Sequence, residues 1–106
     1  MDKLLNFLGI CRRAGKLAVG NDVVIDAVRG GEAKLVMLCS DISPNTEKKL
    51  RKTIDESGVR ILRLNRSKEE LGFAIGKFAA VTAATDKGFA DKLCELINNE
   101  TGGISV

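Results

Sequence analysis

The stretch AKLVMLCS, residues 33–40, decides the fold. It is an apolar run interrupted only by Lys34, closed by Gly31 on one side and by Asp41-Ile42-Ser43-Pro44 on the other. Such a run reads as a strand covered on both faces, as in parallel or mixed α/β sheets. Helix-like and strand-like segments alternate on either side of it. The expectation is therefore an α/β protein, a three-layer α/β/α sandwich with a small mixed sheet.

Upstream, Leu4, Leu8 and Cys11, with Leu5 and Phe7 beside them, recur at helical spacing, with Asp2 placed to cap this helix and Gly15 to end it. Residues 17–19 form a brief edge strand. The segment GKLAVGNDVVIDAVRGG, residues 15–31, then delivers a polar corner, Gly20-Asn21-Asp22, into a second helix whose inward face is expected to be Val23, Val24, Ala27 and Val28. The N–H groups of a first helical turn have no intrahelical partner, and with the helix dipole they favour anions such as phosphate. Arg12, Arg13 and Lys16 precede the corner with no acid between positions 11 and 20, and are expected to surround the helix start with positive charge. Asn21 and Asp22 add short groups that hydrogen-bond base edges. There is also a plainer reading. Asn and Asp are ordinary N-cap residues and Gly30-Gly31 is an ordinary stop, and local chemistry alone favours simple capping.

Downstream, Ser43-Pro44 is a helix start and Gly58 its stop; Leu50 and Ile54 face inward, while Lys48, Lys49, Arg51 and Lys52 read as a solvated face. Residues 59–64 mix Ile61 and Leu62 with Arg60 and Arg63, as an exposed edge strand does. Ser67 and Glu70 make a capping box for a short helix with Leu71, Ala74 and Ile75 inside and Gly76 at its end. Residues 78–85 are the next strand. Asp86 caps a last helix carrying Phe89, Leu93, Leu96 and Ile97, and residues 98–106 are expected to fray.

The 106 residues suit one domain, 1–106, with 44% apolar and 29% charged residues and a net charge of +3. The positive charge is concentrated at Arg60, Arg63, Arg66 and Lys68, a polarity that suits a polyanion. Cys11, Cys39 and Cys94 are odd in number and lie in apolar segments, so they read as small buried side chains and suggest no disulfide framework or metal site. No secretory segment or membrane-length apolar run is present, and a cytoplasmic protein without a membrane partner is expected. Histidine is absent, which removes the commonest general base. Cys39-Ser40-Asp41, at the carboxyl end of a strand, lacks a base for the thiol and reads as structural. No glycine pair has the dinucleotide-binding spacing, and no enzyme activity or cofactor is expected. Phe7, Phe73, Phe78 and Phe89 are scattered, mostly at core spacing, and offer no stacking platform for single strands. Any RNA recognised is then structured RNA, read by shape and backbone.

The ordered set Arg13-Ala14-Gly15-Lys16 leading to Gly20, Ala33-Lys34-Leu35-Val36, Ser40-Asp41, Asn45-Thr46, Leu71-Gly72, Ile75-Gly76-Lys77 and Thr85-Asp86-Lys87-Gly88-Phe89-Ala90 resembles the kink-turn-binding ribosomal proteins of the seven-Ae and thirty-e type. The resemblance holds especially for the small bacterial YlxQ-like members, and it spans nearly the whole chain. It implies that the second helix's amino end meets tandem sheared G·A pairs, a role falling on Gly20, Asn21 and Asp22, with Lys16 and Lys34 near phosphates. It implies further that the loop Gly76-Lys77-Phe78-Ala79-Ala80 packs on the flipped-out nucleotide of the bend. Two positions depart from the family pattern: Asp26 stands where a lysine is usual, and Val23 where some members place a base-contacting glutamate. Asp26 lies one turn beyond Asp22, on the same side of the helix, where it would repel a phosphate. The leading expectation is a non-enzymatic, monomeric, ribosome-associated protein whose partner is kink-turn or ribosomal RNA. The alternative is a protein-interaction module that binds ribosomal or translation proteins.

Overall fold

A computed structural model describes residues 2–101. Five helices and four strands alternate along the chain: α1 (Lys3–Arg13), β1 (Leu17–Val19), α2 (Asn21–Arg29), β2 (Leu35–Leu38), α3 (Pro44–Ser57), β3 (Ile61–Arg63), α4 (Lys68–Ile75), β4 (Val81–Ala84) and α5 (Lys87–Thr101). Short polar residues set most of the helix starts. The Asp2 carboxylate accepts from the Leu5 N–H at 3.0 Å, Ser43 accepts from Thr46 at 3.2 Å ahead of Pro44, and Asp86 accepts from Phe89 at 3.0 Å. The capping box at α4 is complete, with Ser67 accepting from the Glu70 N–H and the Glu70 carboxylate accepting from the Ser67 N–H.

The sheet order is β1-β4-β2-β3. Strand β4 runs antiparallel to both of its neighbours, Val36 facing Ala83 on one side and Ala18 facing Ala83 on the other, while β2 and β3 are parallel. Strands β1, β2 and β3 thus share one direction, so α2, α3 and α4, each following one of them, all begin at the same end of the sheet. This geometric consequence positions the site.

Strand β2 is fully buried, as its apolar run predicts. Leu35 and Met37 join α1, α4 and α5 in one core layer, and Val36 and Leu38 join α2 and α3 in the other. The three-layer α/β/α sandwich with a small mixed sheet is thereby formed. Phe7 and Phe89 meet edge to face in the first layer, ring centres 5.6 Å apart.

Several expectations are corrected. Val23 is 50% exposed, and the inward face of α2 is Val24, Ala27 and Val28 with Ile25 partly covered, because the buried stripe follows the 3.6-residue period from Val24. Phe73 is 83% and Phe78 70% exposed. With Leu71, Ala74 and Ile75 turned inward, residue 73 falls on the opposite side of α4. The fourth strand starts at Val81 rather than 78, so residues 78–80 belong to a loop. Helix α5 continues to Thr101 through part of the segment expected to fray, anchored by buried Leu93 and Ile97; residues 102–106 lie outside the described residues. Cys94 is only partly buried, unlike Cys11 and Cys39.

Candidate nucleic-acid interface

The start of α2 is held by backbone alone. The Gly20 N–H donates to the Val81 carbonyl at 3.0 Å, and the Val24 N–H donates to the Gly20 carbonyl at 2.9 Å, closing the first turn. Gly20 takes φ +100° and ψ 160°, a region that only glycine adopts without strain. No side chain caps this helix. Asn21 and Asp22 occupy its first two positions, one residue too late to cap it, which overturns the N-cap half of the capping reading, while Gly30 does end the helix as expected. Among the described residues the N–H groups of Asn21, Asp22 and Val23 have no partner, and they point out of the end of the sheet.

The facing wall is the loop between α4 and β4. The Phe78 ring lies across Gly72, close enough that a Cβ on residue 72 would come within 2.9 Å of Phe78 Cδ1. From beneath, the Cys39 N–H donates to the Ala80 carbonyl at 2.9 Å and the Cys39 thiol donates to the Ala79 carbonyl at 3.4 Å. Burial pushes the thiol pKa up to about 11, so it remains a neutral donor, consistent with its structural role.

Between these walls is an open cleft of about 400 Å³, bounded by Gly20, Asn21 and Asp22 on one side and Phe78, Ala79 and Ala80 on the other. Two residues that sequence reasoning did not place at this corner complete it: Thr46 in the first turn of α3 and Lys68 at the first position of α4. The first turns of three helices therefore converge here, at the carboxyl ends of the parallel strands, adding their dipoles to the Lys68 charge. Of the basic run after position 59, Arg63 is paired with Glu47, and Arg66 is bidentate to Asp2 at 2.7 and 3.0 Å and also pairs with Glu100. Lys68 has no ion pair among the described residues, and its backbone N–H is held by Asp41 at 3.0 Å. The signal in the sequence was the pair of helix starts, Ser43-Pro44 and Ser67, which assign Thr46 and Lys68 to first turns.

Other expected site residues lie elsewhere. Gly76 and Lys77 are on the loop but outside the cleft wall. The Lys16 carbonyl accepts from Thr85 at 3.0 Å and the Lys34 N–H donates to Ala84 at 2.8 Å, which puts both lysines at the far end of β4. Four residue-to-residue steps of extended chain separate Lys16 from Gly20, about 13 Å. The expectation that Arg12, Arg13 and Lys16 surround the start of α2 is accordingly corrected, because a strand carries the chain across the sheet between them. Asp26 lies beside β1 with Val23 and Glu32, outside the cleft.

The sequence profile of the ribosomal protein L7Ae/L30e/S12e/Gadd45 family matches residues 2–94. The chain is 42% identical over 92 residues to the RNA-binding protein YlxQ of Bacillus subtilis (strain 168), covering 86% of this chain and 91% of that one. It is 38% identical over 95 residues to the RNA-binding protein YlxQ of Enterococcus faecium, covering 90% and 91%. A solved structure of a Bacillus halodurans protein superimposes with a TM-score of 0.84 at 35% identity, covering 92% of this chain and 99% of that one.

Proposed function

The chain belongs to the ribosomal protein L7Ae/L30e/S12e/Gadd45 family, and from that premise we propose that it binds structured RNA of the kink-turn type, as a ribosome-associated cytoplasmic protein with no catalytic step. The observation that carries this reading is the cleft, where the open first turn of α2 faces the loop of Phe78, Ala79 and Ala80. The two halves differ in chemistry as the two parts of a bent RNA do. Free N–H groups and the Asn21 amide suit phosphates and exposed base edges, while an exposed phenyl ring and two alanines suit an unstacked base. Lys68 supplies the charge that Lys16 and Lys34 are too distant to bring to the cleft. The Bacillus and Enterococcus relatives are named for RNA binding, which accords with this reading.

The test is a titration of the protein with a kink-turn RNA, with the same RNA after its sheared G·A pairs are made Watson–Crick, and with a plain duplex. Preference for the first by tenfold or more, weakening steeply with salt, is the expected result. Equal affinity for all three overturns the kink-turn reading. One observation favours a protein partner instead: Phe73 and Ile10 are exposed on α4 and α1. A ribosomal or translation protein retained after nuclease treatment, and released by Phe73→Ala, would support that second reading.

A further inference from the structure

Helix α2 leaves the cleft with two unlike flanks. Toward β1 lies a depression of about 320 Å³ that carries two carboxylates, Asp26 and Glu32, and no cation. Toward α3 lies a groove of about 320 Å³ that carries Arg29 and Lys49, the hydroxyls of Thr46 and Thr53, and no carboxylate. Asn21 and Thr46 line both this groove and the cleft, so the two are continuous. Spacing makes the groove a track. Asn21, Ile25 and Arg29 succeed one another at four-residue steps along one side of α2, and Thr46, Lys49 and Thr53 do so at steps of three and four along α3. From Asn21 to Arg29 the helix rises about 12 Å, enough for roughly two phosphates of one strand. Neither Arg29 nor Lys49 has an ion pair among the described residues, in contrast to Arg51 and Arg63, which Glu47 engages.

Resting on the RNA reading above, we propose that the strand leaving the cleft follows the α2–α3 groove, with its phosphates held by Arg29 and Lys49 and its course kept off the β1 side by Asp26 and Glu32. Sequence-independent contacts of this kind set the orientation of the bound stem and the salt dependence of affinity. They also account for a carboxylate at Asp26: phosphate contacts lie on the other flank of the helix.

The experiment compares wild type, Arg29→Gln/Lys49→Gln and Asp26→Asn on a kink-turn RNA with a full stem and on one cut back to the bend. The three altered positions, Asp26, Arg29 and Lys49, are on exposed helix surface, and a thermal melt of each variant checks the fold. The double variant is expected to lose about tenfold in affinity for the full RNA, with its salt slope reduced by about 1.5 to 2. It should bind the cut-back RNA like wild type, and Asp26→Asn should change neither RNA by more than about twofold. Unchanged affinity and slope for the double variant on the full RNA overturn the proposal and leave the groove to a protein partner. Failure of the underlying reading is distinct, because wild type then shows no preference for the kink-turn over a plain duplex.

Discussion

The first turns of α2 and α4 border the same cleft and are built in opposite ways. At α4 both members of the capping box are satisfied, and the residue just before it, Arg66, ties the segment to Asp2 and Glu100. At α2 the first position outside the helix is a glycine with nothing to donate or accept from a side chain. One start is closed by its own sequence, and the other is left open for something else to close. Capping is worth about 1 kcal/mol, so leaving α2 open has a cost, and such local departures concentrate where binding occurs.

The contrast breaks most severely at Gly20. Gly20→Ala forces a Cβ into φ +100° and should destabilise the fold by about 1 to 3 kcal/mol in a urea melt, because the strain is local and backbone-held. Unchanged stability would mean that the start of α2 can relax, and the rigid-corner account fails. Next in size is Arg66→Gln. At neutral pH it should remove about 1 to 2 kcal/mol, more than an exposed pair, since the guanidinium is mostly buried between two carboxylates. Arg66 holds the Asp2 carboxyl below its ordinary range. That contribution is complete above about pH 4 and disappears as pH falls through the lowered value, so wild type and variant should converge in acid. A gap that persists at pH well below that lowered value would assign the loss to packing instead.

Ser67→Ala isolates capping itself, and should cost about 1 kcal/mol without changing RNA affinity beyond that loss. The smallest stability effect is expected at Asn21. Asn21→Ala should shift the melt by no more than about 0.5 kcal/mol, since it caps nothing, yet weaken kink-turn binding several-fold. If Asn21→Ala destabilises as much as Ser67→Ala does, the two helix starts are alike after all.

These comparisons also mark what could be read from the chain. Caps at Asp2, Ser43, Ser67 and Asp86 were legible because each rests on one short side chain within three residues of its partner. The two-sided burial of β2 was legible from a run with no polar alternation. Strand direction was not. The distance between Lys16 and Gly20 depends on β1 crossing the sheet, and the approach of Lys68 and Thr46 to Asn21 depends on three strands pointing the same way. Burial on short helices was equally hidden, because one residue's rotation decides between Val23 outward and Val24 inward. The loop of residues 78–80 came from resemblance, while periodicity alone extended the strand through it.

The sheet order sets when the cleft comes into being. Among the described residues β1 pairs only with β4, and its partner is made some sixty positions later in the chain. During synthesis β2, α3 and β3 can associate while β1 still lacks its neighbour, and Gly20 has no Val81 carbonyl to dock on until β4 arrives. A nascent or clipped chain without β4 therefore retains the residues of the α2 corner but lacks their alignment. The α2 corner is thus a product of the assembled sheet rather than of its own segment.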